Sequence, residues 1–331
     1  MLKGDQMLKL FTGMTRAWAA GVLMAFASSA AAPQAYPSKP IRFIVPYPPG
    51  SGTLVARLIG DKLMESWGQP VIVDPRPGGD TIIGAEALVR SQRDGQTIML
   101  ISSSHVTINL LHKNVPFDAI KDVAAVATLT ISELLLALHP SVPANNVKEL
   151  IALAKSKPGQ LNFASAGKGG PSHLAAELFN MLAGIKIQHV PYKGSGPAVG
   201  DLLGGHVQVY FGPGTVLIPH IKSGKLKAIA IGGDSRLPTL PQIPTFAEAG
   251  MPGFKLSNWY GLLAPAGTPK VIIDKLAIEI GKVLAMPDVK EKLSSQGLGP
   301  FISSPEQFGL LMKADMEKYA KIIKAANIEQ N

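Results

Sequence analysis

The chain has 331 residues, 46% of them hydrophobic, no cysteine and a formal net charge of +9. That length suffices for two ordinary α/β domains with packed cores. The missing thiols exclude disulfides, zinc–thiolate sites, iron–sulfur clusters and cysteine nucleophiles together, and lysines and arginines scattered without a basic run or basic–aromatic interleaving exclude a nucleic-acid platform.

Residues 1–35 read as a secretory signal peptide. Lys3, Lys9 and Arg16 precede the apolar run 17–27, and Ser28-Ser29-Ala30-Ala31-Ala32 supplies an A-x-A-type cleavage region, placing cleavage within 28–36. The run is shorter than the ~20 residues a spanning helix needs, so export to a periplasm is expected, with an uncleaved membrane anchor as the alternative.

Beyond the leader, apolar β-rich runs at 41–45, 71–73, 97–102, 124–129, 134–139, 161–165, 187–192, 207–212 and 226–232 alternate with helical patterns over 55–67, 84–91, 147–156, 173–183 and 198–203. Strand alternating with helix predicts parallel sheets covered on both faces. After Trp259-Tyr260-Gly261, a pair expected to pack near a hinge, two helices follow over 270–286 and 305–326, with no strand between them. Pro269 opens the first of them and Pro287 stops it. Their return to the first sheet makes residues 131–254 an inserted second domain, leaving 36–130 plus 255–331 as the first.

In such sheets ligands sit at the carboxyl ends of strands, where helix starts present unpaired N–H groups. Five Gly/Ser-rich handovers fall there: PPGSGT (48–53), SSSH (102–105), SAGKGGPSH (165–173), YKGSGP (192–197) and FGPGT (211–215). Enzymatic readings of them fail on spacing. No G-x-S-x-G elbow frames a nucleophile, so Ser102 to Ser104 with His105 reads as a hydroxyl-lined turn in which His105 caps or packs. Gly167-Lys168-Gly169 lacks the Ser or Thr that would hold magnesium, and Gly50-x-Gly52 lacks the third dinucleotide glycine. No metal is expected, because His173 and His189 offer only Glu177, at i+4 from His173. The expected role of His173 is donation to a ligand or a loop carbonyl from the first turn of its helix. What survives is anion capture: a carboxylate at a helix start accepts backbone and hydroxyl hydrogen bonds together.

The ordered series YPSKPIRFIVPYPPGSGT (36–53), IGAEALVRSQRDGQTIML (83–100), FASAGKGGPSHLAAELF (163–179), HVPYKGSGPAVGDLLGGHVQVYF (189–211), LPQIPTFAEAG (240–250) and WYGLLAPAGTP (259–269) resembles the Bug-type extracytoplasmic solute receptors of tripartite tricarboxylate transporters, from Tyr36 to Ile328. The resemblance implies a type II periplasmic-binding-protein fold, two doubly wound α/β domains joined by crossing hinge strands. It also implies a monomer without catalysis or cofactor that captures a small organic carboxylate and passes it to membrane transporter subunits. The ligand-facing positions it implies in the first domain are Tyr47, Gly50, Ser51, Gly52 and Thr53, with Ser102, Ser104 and His105. In the second domain they are Ser165, Gly167, Lys168, Ser172 and His173, with Gly194, Ser195, Gly196, Gly212 and Thr215. An exported α/β enzyme acting on an anion and a receptor feeding a sensor kinase are the competing readings.

Two departures from the family pattern bear on specificity. Leu54 stands where an acid is usual in a first loop that is one residue short, and Gly212 stands where an Asp is common after the strand over 207–211. With Lys168 present and these acids absent, nothing obvious neutralises an ammonium group, so a ligand with two carboxylates and no ammonium is expected. Gly212 to Thr215 is expected to leave room for a flat ring.

Overall fold

The computed structural model describes residues 36–330; the signal-peptide expectation lies outside them. Strand β1 (Ile41–Val45) is an almost wholly buried apolar run, as expected of a strand covered on both faces. It lies between β2 (Val71–Pro75) and β3 (Thr97–Ser102), parallel to both. Helix α1 (Ser51–Trp67) follows β1 and buries Val55, Ala56, Leu58, Ile59 and Leu63, one apolar stripe at helical spacing. It ends at Gly68, whose left-handed conformation (φ 64°) returns its N–H to Met64.

A short 3₁₀ turn (Gly79–Thr81) and α2 (Ile82–Val89) lead to β3, and a second 3₁₀ turn (Ser103–Thr107) and α3 (Ile108–Leu111) follow it. Next come β4 (Val123–Leu138), α4 (Val147–Ser156), β5 (Asn162–Ser165), α5 (Pro171–Ala183), β6 (Gln188–Pro191), α6 (Ser195–Leu203), β7 (Val209–Pro213), α7 (Gly214–Lys222) and β8 (Lys227–Ile231). The chain closes with β9 (Ser257–Pro265), α8 (Lys270–Ala285), α9 (Pro287–Ser295), β10 (Gly299–Pro300) and α10 (Pro305–Ala325). Among the described residues no helix is long and apolar enough to cross a membrane.

The strands run in the order β2-β1-β3-β9-β4-β7-β5-β6, with β8 and β10 also pairing with β4. The sheet is mixed, which corrects the parallel-only expectation. Parallel pairs occupy the two wings, β2-β1-β3 and β7-β5-β6. The centre is antiparallel, because the chain leaves the first wing along β4 and comes back along β9.

The runs 124–129 and 134–139, read as separate strands, form one strand of 16 residues. Nothing between them breaks an extended chain: Thr130, Ile131 and Ser132 suit a strand, and Thr130 and Ser132 are buried against β9. Up to Glu133 this strand pairs with β9, and from Leu134 onward it pairs with β7 and β8. The expected absence of a strand between the last helices is also corrected, since α9 and the two-residue β10, paired with β4, intervene. Pro287 does stop α8, but as the first residue of α9 it starts a new helix at once.

Candidate functional site

The helices that open four of the Gly-rich handovers start without a side-chain cap: α1 after Gly50, α5 after Gly170, α6 after Gly194 and α7 after Pro213. Other helices lack a side-chain cap as well, α8 and α9 among them, whereas at α4 Asn146 accepts from Glu149 N–H and at α10 Ser304 and Gln307 form a capping box. The first N–H groups of the four open starts have no intrahelical acceptor and carry a partial positive charge. Ser51, Gly52, Thr53, Ser172, His173, Ser195, Gly196 and Thr215 all lie in these first turns, and Gly50 and Gly194 immediately precede two of them.

At α1 the open turn lies beside a hydroxyl relay. Tyr47 donates its hydroxyl to Ser102 Oγ (2.9 Å) and accepts the Ser102 N–H (2.6 Å), while Ser102 Oγ and Ser104 Oγ are 2.8 Å apart. Ser102 Oγ also accepts the Ser104 N–H at 3.4 Å. Either serine can donate across that contact, and the half-buried Ser104 hydroxyl, which also acts on the Tyr47 phenol, is the outermost group of the relay. Burial pushes the Tyr47 phenol up, so it stays a donor. Gly52 lies under this group: a Cβ there would stand 3.3 Å from the Tyr47 ring and 3.7 Å from Tyr260. Tyr260 meets Tyr47 edge to face at 6.2 Å, and its phenol is raised by burial and by Tyr47. Of the expected packing pair, then, only Trp259 is core, its indole N–H bonded to Asp315 at 2.8 Å.

His105 does not join this group. It is fully buried, and its Nε2 meets the Ala119 carbonyl at 2.9 Å, so it closes the turn after β3 instead of facing a ligand. Burial holds its pKa down to about 4. The folded protein therefore takes up this proton later than the unfolded chain, and stability falls as pH drops from about 6.5 through 4, by about 3 kcal/mol for this one group. Melting curves of wild type and His105→Gln across that range should diverge, the wild type losing more stability towards acid.

The second loop is held from beneath by stacked rings. His173 and His189 stack at 3.8 Å, and Phe163 lies 4.9 Å beyond His189. His173 Nδ1 accepts the Gly169 N–H at 2.9 Å, which corrects its expected donation to a ligand or carbonyl; its Nε2 is 3.7 Å from Glu177. Ser165 meets His189 Nε2 at 2.6 Å and donates to Gly167 O at 3.1 Å. This serine–histidine pair is not hydrolytic: Ser165 is fully buried, and His189 is pushed down to about 3 by burial, by His173 and by Lys168. An imidazole of that pKa is no general base near neutrality.

Backbone bonds from Tyr192 to Ser165 and from Gly194 to Ala166, each 3.0 Å, bring the loops before α5 and α6 together. Tyr210 adds the start of α6, donating to Ser195 Oγ at 3.2 Å, and Ser172 is its second hydroxyl partner. On the Cβ side of Gly212 there is no free space: a Cβ there would collide with the fully buried Tyr210 ring and stand 2.9 Å from Leu217. The protein's own tyrosine fills the space. Over Thr215 lies Gly297, in a left-handed turn (φ 68°), whose Cβ would reach 3.2 Å from Thr215 N.

A cavity of about 540 Å³ opens beside the start of α1, within the size range of small-molecule sites. Its walls include Gly50, Thr53, Leu54, Arg57, Lys292 and Gln296, and no acid is among its lining residues. It shares the α1 start with the Tyr47 relay but not the relay itself. Sequence reasoning missed Tyr210, Tyr260, Lys292 and Gln296 as neighbours of the site; Lys292 and Gln296 come from a distant segment, and Tyr210 and Tyr260 lie in strands whose side-chain contacts no local motif announces.

The model of the tripartite tricarboxylate transporter family receptor matches residues 55–328. The chain belongs to that receptor family. Protein BugT of Bordetella pertussis is 38% identical over 317 residues, covering 94% of this chain and 97% of its own. Two solved structures extend the likeness. The R. palustris protein Rpa4515 with adipate has a TM-score of 0.80 at 30% identity, covering 89% of this chain and all of its own. MatC from Rhodopseudomonas palustris with bound malate has a TM-score of 0.74 at 30% identity, covering 87% and 100%. The family consists of solute-binding receptors, so this chain is a receptor and not an enzyme, and its fold is that of type II periplasmic binding proteins.

Proposed function

We propose that the chain works in the periplasm as a monomer that captures a small dicarboxylate, one without an ammonium group, between a first domain (36–130 with 255–331) and an inserted second domain (131–254). It then delivers the solute to membrane subunits of a tripartite tricarboxylate-type transporter. The observation that carries this reading is the uncapped start of α1 beside the hydroxyls of Tyr47, Ser102 and Ser104. Each charge–dipole contact at such a start is worth about 0.3–1 kcal/mol exposed and up to ~2 partly buried, and charge-assisted bonds from hydroxyls add to it.

The ligand class is supported from two sides. The cavity at α1 is lined by Arg57 and Lys292 and by no acid, so an ammonium group would find no counter-charge there. Adipate and malate, present with two of the structural relatives, each carry two carboxylates and no ammonium. Leu54, an apolar residue, lines the same cavity.

A thermal-shift titration of the purified protein with adipate, malate, citrate, aspartate and glutamate tests this. A solute at 100 times its Kd stabilises the native state by about 2.7 kcal/mol, so a dicarboxylate should raise Tm by several degrees while the two amino acids leave it unmoved. Stabilisation by aspartate or glutamate at lower concentration than any dicarboxylate would overturn the assignment.

A further inference from the structure

Three chain segments meet where β4 changes partners. Glu133 is the last residue of β4 paired with β9, opposite Ser257, and Leu134 is the first paired with β7, opposite Pro213. The chain leaving β8 crosses at the same place: Gly232 donates its N–H to Leu134 O at 2.8 Å, and a Cβ on Gly232 would lie 3.2 Å from that oxygen. The run into β9 is as close, for the same Cβ would collide with the Leu256 carbonyl. These segments, around 131–134, 232–234 and 255–258, join the two wings of the sheet.

Into this junction the fold places a carboxylate. Glu133 lies against the backbone of Gly233, where a Cβ would stand 2.7 Å from its Oε2, and that oxygen is buried with no hydrogen-bond partner. The charged groups facing it are Asp234, from the segment after β8, and Lys255, from the run into β9, which binds Asp234 at 3.1 Å and not Glu133. From α10, Lys318 reaches the Lys255 carbonyl at 3.5 Å while paired with Asp315 at 2.7 Å. Glu133 thus has an acid as its charged neighbour, and the lysine beside that acid is engaged elsewhere.

We propose that Glu133 is a proton-operated latch at the crossing of the two wings: neutral, it packs against Gly233 and holds the three segments together; ionised, it draws water in and loosens them. Burial first, then Asp234, raises its pKa to about 7, so both forms are populated near neutrality. A carboxyl raised in the folded state contributes stability that is fully present below its ordinary pKa and is lost as pH rises from there through about 7. The latch rests on strand pairing and burial alone, so it holds whichever solute is captured and can fail without touching the ligand assignment.

Amide hydrogen exchange of the ligand-free protein at pH 5.5 and pH 8.5, corrected for intrinsic exchange chemistry, reads the latch directly. Peptides covering the three crossing segments should exchange about tenfold or more faster at the higher pH, while β1, separated from β4 by β3 and β9, serves as the internal reference. Glu133→Gln, which keeps the shape and removes the titration, should abolish the difference. Asp234→Asn should move its midpoint to lower pH. The latch is overturned if wild-type exchange at the crossing is the same at both pH values, if the difference persists in Glu133→Gln, or if β1 changes by the same factor.

Discussion

Replacing Gly212 with alanine is expected to destabilise the protein by about 1–3 kcal/mol, the usual cost of forcing an extra carbon into a packed site. The new Cβ would overlap the Tyr210 ring and press on Leu217 at 2.9 Å, and both side chains are fully buried. Neither can swing into solvent, so the strain has to be taken up by β7 or by the start of α7. Because the Tyr210 hydroxyl holds Ser195 at the start of α6, the displaced ring should also loosen that uncapped helix start. Urea denaturation would register the loss in stability, and the stabilisation gained from a saturating dicarboxylate should shrink with it. A double-mutant cycle identifies the cause: with Tyr210→Leu already in place, Gly212→Ala should cost little. Strictly additive costs would place the strain elsewhere.

Tyr47→Phe should have the largest effect on ligand capture for the smallest change in shape. It removes the acceptor of the Ser102 N–H and the donor to Ser102 Oγ while keeping the ring against Tyr260. A buried N–H left without a partner costs about 1–3 kcal/mol. The Ser102 and Ser104 hydroxyls also lose the phenol that fixes them, so they are free to re-pair with each other. About a tenfold loss of dicarboxylate affinity is expected, equivalent to about 1.4 kcal/mol. Calorimetric titration measures it, and affinity within twofold of wild type would remove the relay from the site.

Local chemistry made much of the fold legible. The strands over 41–45 and 97–102 and the helix over 147–156 fall where their apolar patterns place them, because each is bounded by polar residues, Gly or Pro. α1 starts four residues before its predicted onset, since Ser51, Gly52 and Thr53 are poor helix formers recruited to expose the helix end. β9 escaped because Gly261 interrupts its pattern. That glycine is required by packing, a Cβ there colliding with Phe308, which no local signal announces. In the site, the strand-end hydroxyls were readable one loop at a time. The Tyr47 relay and the ring stack before α5 were not, because the first joins side chains 55 residues apart and the second gathers rings from three elements, β5, α5 and β6; nor was the ring over Gly212, since nothing in the local pattern says that Tyr210, two residues earlier, folds back over it.

The placement of β9 has a consequence for how the chain acquires its shape. β9 lies between β3 and β4, yet it is made after everything up to β8. Until residue 257 is available, the strands that flank it have nothing to zip against at the middle of the sheet, while the β5–β8 wing already has all its strands. Closing that gap joins residues of high sequence separation, which is the slow kind of contact to form. β9 is therefore the keystone of the sheet's centre, and the joining of the first wing to the rest waits on the return of the chain from the second.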